Sequence, residues 1–331
     1  MRSLDVHTHV LPPELPRWSP IRLERAGECR ARMLREDGTV FREIESNAWD
    51  ATQRLRECDD AGVGVQVLST VPVLFAYQLP PQRGQDLARL LNDSIASLCR
   101  EHPRRFIGLG TLPLQSPDLA LRELDRCIGE LGLAGVEIGS HVNARNLSDP
   151  ALFPVFARAA GLGAAIFVHP WDMMGEERMQ RYWLPWLVGM PAEVSLAICS
   201  VIFGGVLERL PGLRIAFAHG GGAFPGTLGR IEQGFHARPE LVAIDNRRPP
   251  SAYLKSIYVD SLVHDPRALR LILEVFGQER IALGSDYPFP LGEARPGALI
   301  DSLHLPPDVR DRLRAGTALE WLGREASAYA L

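Results

Sequence analysis

Eight short apolar runs, most of them followed by a helical stretch, constrain this chain more than any other feature. They cover residues 3–10, 63–70, 106–114, 134–139, 164–169, 214–219, 256–261 and 280–285. Most are continuous rather than alternating, as expected of strands buried on both faces of a parallel sheet. Helical patterns fall at 47–62 and 85–102, from Ser116-Pro117 to about residue 129, and from Asp149-Pro150 onward. Eight strand–helix repeats predict an α/β fold, a (β/α)8 TIM barrel, with residues 1–331 as one domain. An open doubly wound sheet would carry a glycine-rich phosphate loop after its first strand, and none follows His9.

In such a barrel the side chains at the C-terminal ends of the strands meet at one mouth. His7 and His9, two apart on the first strand, share a face. His169 ends the fifth strand, His219 ends the sixth, and Asp286 follows the eighth in GSDYP. Any one of these is an ordinary turn or surface residue, but five on one rim point to a site. Three histidines and an aspartate suit zinc, or another divalent metal such as manganese, with a position left open for water. His141 and His264 follow strands four and seven on the same face, and Asp5 lies one step behind His7; all three are candidates for supporting positions. His102, His236 and His304 read as peripheral.

Two connections exceed ordinary loops: residues 11–47 after strand one and 171–193 after strand five. Loops of this length at an active-site rim are usually functional. The second carries Trp171, Trp183 and Trp186, which predicts a pocket wall or a subunit interface.

Net charge of −4 and a pI near 6.2 give no support for nucleic-acid binding. Five scattered cysteines without a CxxC pair fit reduced thiols in cytoplasm better than disulfides or a thiolate zinc site. Met1-Arg2-Ser3 runs straight into the first strand, so no signal peptide is read. The most apolar stretch, 194–207, is 14 residues, shorter than a bilayer requires, and predicts a buried helix. HGGG at 219–222 also occurs in α/β-hydrolase oxyanion loops, but the G-x-S-x-G elbow those enzymes need is absent.

The order HxH on strand one, histidine after strands five and six, and aspartate after strand eight resembles the amidohydrolase superfamily. VHPWDMMG (168–175), YWLPWLVGMPAE (182–193), AHGGG (218–222) and LGSDYPFPLGE (283–293) resemble its branch of metal-dependent decarboxylases. The likeness spans nearly the whole chain and is looser between Leu11 and Arg42. Many superfamily members bridge two metals with a carboxylated lysine after strand four. Here that strand reads GVEIGS, and the only lysine, Lys255, begins strand seven at the wrong end of the barrel. One metal is therefore expected, with Glu137 a disfavoured bridge.

The resemblance implies a zinc-dependent, non-oxidative decarboxylase of a muconate-type semialdehyde in tryptophan (kynurenine) or nitrobenzoate breakdown, active as a homodimer. It implies His7, His9, His169 and Asp286 as metal ligands and His219 as the catalytic acid–base. Hydroxide formed at the metal would add to the substrate, with His219 moving the protons. Arg42 would hold a substrate carboxylate, and Arg230 and Arg238 would reach the neighbouring subunit's pocket. Phe41, Met173, Trp186 and Phe289 would line the pocket. Rival readings are decarboxylation of a hydroxylated aromatic acid, a lactonase or deaminase, and a barrel holding metal for structure alone.

Overall fold

The computed structural model describes residues 2–331. Its eight parallel barrel strands are β1 Ser3–Val10, β2 Val63–Thr70, β3 Phe106–Thr111, β4 Gly135–Gly139, β5 Ala165–His169, β6 Arg214–Phe217, β7 Ile257–Asp260 and β8 Ile281–Ala282. They are hydrogen-bonded in that order. Every residue of β1 and β2 is buried, polar ones included, as expected of strands covered on both faces.

The barrel closes through the extended segment that continues β8. Val6 N–H donates to the Leu283 carbonyl at 2.9 Å, Asp286 N–H to that of His7 at 2.8 Å, and His9 N–H to that of Tyr287 at 2.8 Å. Only two residues of β8 are regular strand, fewer than the apolar run predicts, because the rest of its pairing with β1 is irregular.

β1 is not a plain strand either. Against β2, Asp5 pairs with Gln66 and Thr8 with Leu68, so a bulge lies between them. Bulges re-aim side chains and recur beside active sites. Here the His7 N–H turns to the Asp5 carboxylate at 3.2 Å.

The surrounding helices follow the apolar pattern with shifted ends. Asp50 caps Ala51–Ala61 by accepting from the Thr52 and Gln53 amides, so a short 3-10 turn replaces the first residues of the helix expected from 47. The second helix is Pro81–Glu101, beginning earlier than expected because a proline at the first turn suits a helix start. Pro117–Gly129 matches its expected span, although the Ser116 side chain makes no capping bond. The helix expected from Asp149 begins at Phe153, because the Asp149 carboxylate captures the Ala151 amide in a local turn.

The 11–47 connection is not a loop but a three-stranded antiparallel sheet, Ile21–Arg25, Arg30–Arg35 and Val40–Glu45. One face buries Ile21, Ala31, Met33 and Ile44 against Val71, Val73 and Leu74, just past β2. Helical structure in the 171–193 connection runs from Pro185 into Met190–Phe203, beginning before the apolar stretch read from the sequence. Pro185–Phe203 is 19 residues, long and apolar enough by length and composition to cross a membrane, and half of its most apolar window is buried inside the protein. Val194, Ala197, Ile198, Val201 and Ile202 pack into the main core beside Ile215 and Phe217 of β6.

Candidate metal centre

His7 and His9 project from the bulged strand, His169 ends β5, and Asp286 follows the β8 continuation. One ligand atom from each lies within 4.8 Å of all the others, and all four residues are buried. Asp286 Oδ1 is 3.1 Å from His9 Nε2 and 3.6 Å from His7 Nε2.

The other nitrogen of each ring decides what these atoms can do. His9 Nδ1 lies 2.8 Å from the Thr70 carbonyl and His169 Nδ1 2.9 Å from that of Pro170. A carbonyl only accepts, so each Nδ1 carries the proton. His7 Nδ1 donates in the same way to Asp260 Oδ2 at 2.7 Å. All three Nε2 atoms are thereby left as lone pairs, buried and without any hydrogen-bond partner. Leaving a polar atom so costs roughly 1–3 kcal/mol. Three doing so around one carboxylate fit a divalent cation, and tethering of the distal ring nitrogen is the usual support for a metal-bound histidine.

The electrostatics agree. Burial opposes ionisation of Asp286, yet the histidine rings around it, His9 nearest, hold its pKa well below the ordinary carboxylate range. Burial pushes His169 well below the usual imidazole value. His7 goes the other way: its bond to Asp260 and the charge of Asp286 outweigh burial and raise it. Glu137, 3.8 Å from His9 Nδ1, stands outside the four-atom cluster. Burial raises its pKa well above the carboxylate range. Lys255 donates to the Phe276 carbonyl at 2.7 Å, before the start of β7 and so away from the rim.

His219 sits beside this cluster, with Nε2 4.0 Å from Asp286 Oδ2. Burial, then the nearby His7, pushes its pKa down to about 4, so the ring is a neutral base at neutral pH. Its direction comes from the HGGG turn, in which His219 and the three glycines all have positive φ. A Cβ at Gly220 would lie 2.3 Å from Val263 Cγ1, and one at Gly222 2.4 Å from the Pro191 carbonyl. Only glycine fits those positions.

A pocket opens over the ligands, walled by Phe41, Arg42, Trp171, Trp183, Trp186 and Phe289. The Arg42 guanidinium stacks on Phe289 at 4.0 Å and meets no carboxylate within ion-pair distance among the described residues. His219 faces a second, open cavity also lined by His264; Trp186, Met190, Asp286 and Leu291 border both. Met173 does not reach the metal cavity. It lines an adjoining cleft with Phe41 and Trp186, its side chain pressed against Gly189. Arg230 and Arg238 are exposed and line none of these cavities, and Arg238 is ion-paired with Glu240. His141 secures the tryptophan-bearing connection: Nε2 lies 3.0 Å from the Trp171 and Asp172 carbonyls, and Nδ1 2.6 Å from that of Asn143. His236 and His304 are exposed, as expected, and half-buried His102 packs on Phe106.

Two functional residues escape a reading of the sequence. Asp260, the last residue of β7 in YVDS, obeys the strand-end rule that selected the histidines and could have been found by it. Arg54 gives no such signal, lying in a helix of mixed charge. It is buried, donates to the His9 carbonyl and to Gln66 Oε1 at 3.1 Å, and stacks on Tyr287 at 4.8 Å. Asp5 proves to be a staple beneath the site, accepting from the Ser285 amide at 3.0 Å and from its hydroxyl.

Residues 4–324 match the amidohydrolase family model. The chain belongs to the amidohydrolase family. It is 52% identical to a 2-amino-3-carboxymuconate-6-semialdehyde decarboxylase of Dictyostelium discoideum, over 99% of this chain and 93% of that one. A protein of the same description from Caenorhabditis elegans is 36% identical over 94% of this chain and 91% of its own length. Among solved structures, 5-carboxyvanillate decarboxylase LigW from Sphingomonas paucimobilis superposes with a TM-score of 0.78 at 29% identity, covering 85% of each chain.

Proposed function

We propose that this chain is a metal-dependent, non-oxidative decarboxylase that converts 2-amino-3-carboxymuconate 6-semialdehyde to 2-aminomuconate 6-semialdehyde and CO2. The observation that carries the reading is the meeting, in one cavity, of the three-histidine, one-aspartate cluster with an unpaired guanidinium. The likeness to the Dictyostelium protein supports this substrate.

Loss of CO2 leaves an electron pair on carbon, and a proton must replace the carboxyl group. His219, held neutral by burial, takes up a proton from solvent and delivers it to that carbon as its bond to the carboxyl group breaks and CO2 departs. Arg42 grips a substrate carboxylate, since a guanidinium binds carboxylate in a two-pronged way. The tryptophan wall excludes bulk water and stacks on the conjugated chain. His7, His9, His169 and Asp286 would hold one divalent ion, zinc or manganese by donor type, which would supply Lewis acidity and make water nucleophilic near neutrality.

The substrate carries two carboxylates, and beside the metal site the protomer's metal cavity offers only Arg42 as a cationic side chain among the described residues. The exposed Arg230 and Arg238 supply the remainder across a homodimer. The five free cysteines suit a reducing cytoplasm.

The second reading, decarboxylation of a hydroxylated aromatic acid, is favoured by the likeness to LigW. Adding the enzyme to freshly prepared 2-amino-3-carboxymuconate 6-semialdehyde, with and without chelator, separates the two. Metal-dependent loss of substrate absorbance with CO2 release is expected. Its absence, with turnover of a hydroxybenzoate instead, would favour the second reading.

A further inference from the structure

Asp260 makes contacts that no ligand or proton carrier would make. It is fully buried at the end of β7 and stands outside the four-atom ligand cluster. Oδ2 accepts from His7 Nδ1 at 2.7 Å and from the His219 amide at 2.9 Å. Oδ1 accepts from the Gly220 amide at 2.8 Å and the Leu262 amide at 3.1 Å. A carboxylate has about four lone-pair sites, and all four are used. Nothing remains for a metal, a substrate or a moving proton.

What those four donors share is the point. One belongs to a metal ligand, and two are consecutive amides of the turn that carries the acid–base histidine. His219 and Gly220 are both left-handed, with φ of +56° and +62°. Successive N–H groups in such a turn form a concavity that favours an anion. We propose that Asp260 is a positioning residue that joins the metal centre to His219: the same carboxylate sets the tautomer of His7 and holds the turn that aims His219. Metal affinity and proton transfer thus depend on one group that takes part in neither. The His219 half rests on the function proposed above, whereas the His7 half stands without it.

Asp260→Asn separates this role from a simple turn cap. An asparagine oxygen in the Oδ1 place can still accept from the Gly220 and Leu262 amides, but its NH2 then faces both His7 Nδ1 and the His219 amide. That forces His7 to accept at Nδ1 and to carry its proton on Nε2, where it blocks ligation. Removing such a support usually lowers metal affinity by about 10- to 100-fold.

Three measurements on the full chain test the proposal. In 15N-histidine-labelled enzyme, chelated and zinc-loaded, wild-type His7 should be protonated at Nδ1 in both states, and the His219 ring resonance should move in D260N. Starting from zinc-loaded protein, competition against a chromophoric chelator should show weakening of about 10- to 100-fold in D260N. At saturating zinc, kcat of D260N should fall at least about tenfold while KM changes less than about twofold, because the substrate grip is untouched and the proton donor is misaimed. The proposal is overturned by a neutral wild-type His7 ring whose one proton is on Nε2, by unchanged zinc affinity in D260N, or by an unmoved His219 resonance. Should D260N fail to fold, the wild-type spectra and the chelator competition of Asp260→Glu still decide, and unchanged zinc affinity in that variant also overturns it. Should the wild type decarboxylate neither test substrate, the proposed function fails, and the spectra and zinc affinity still judge Asp260.

Discussion

The rim of the barrel and the wall above it are held by different forces. At the rim every ligand ring is tied at Nδ1 to a carbonyl or carboxylate, and the positions lie on a closed parallel sheet. The wall is assembled from two insertions by aromatic packing: Phe41 lies 6.1 Å from Trp171 and 6.4 Å from Trp186, which stacks on Trp183 at 5.7 Å. Its edge is open, with Trp183 42% and Tyr182 72% exposed. Hydrogen bonds demand one geometry, whereas apolar packing accepts several. The rim should therefore be intolerant of change and the wall forgiving, the first governing chemistry and the second the choice of substrate.

The comparison is most exposed to failure at the ligands. His169→Ala should abolish stoichiometric metal, read by elemental analysis, and with it turnover; full metal occupancy would break the rim's claim to rigidity. Chelating the wild type should lower stability by about 3–4 kcal/mol if the metal had stood at 100 to 1,000 times its dissociation constant. That gap has a pH sign. His7 is raised above 6.5 in the metal-free protein, so protons compete for it as pH falls through that region. The stabilisation by metal should be full at higher pH and shrink below, which paired melting curves at several pH values would show.

Next in size, His219→Ala should keep its metal and lose roughly a hundred- to ten-thousand-fold in kcat. Arg42→Ala should raise KM by about ten- to a hundredfold with metal content unchanged, the worth of a hydrogen bond to a charged group. Arg42→Lys should recover only part of that, since lysine keeps the charge without the fork. Smallest is Trp186→Leu, with KM moving less than about tenfold and stability by about 1–2 kcal/mol. A Trp186 effect on kcat as large as that of His219 would erase the distinction between rim and wall.

The barrel and the five residues at its mouth were legible in the sequence because one rule, polar groups at the ends of apolar runs, covers them all. The sheet at Ile21–Glu45 was not, because its short strands lie among Arg22, Glu24, Arg30, Arg32, Glu43 and Glu45, and the whole of 11–47 reads as one long connection. Asp260 acquires meaning only once the direction of the His7 ring is known, and no spacing encodes that. Arg54 is harder still: a buried cation that meets a carbonyl, an amide and a ring has no partner of opposite charge to betray it. Met173 shows the reverse, since a string can match while packing turns the side chain into the neighbouring cleft.

The barrel's seam has a consequence for how the protein is made. Two of the three backbone bonds that close β1 onto the segment after β8 are made by His7, His9 and Asp286 themselves, and the Asp5–Ser285 staple beside them spans 280 residues. A nascent chain emerging from the ribosome holds two histidines from the outset but cannot complete the site until nearly all of it has been synthesised. Truncated products should therefore retain no tightly held ion, and acquisition of metal becomes a signal that the ring has shut.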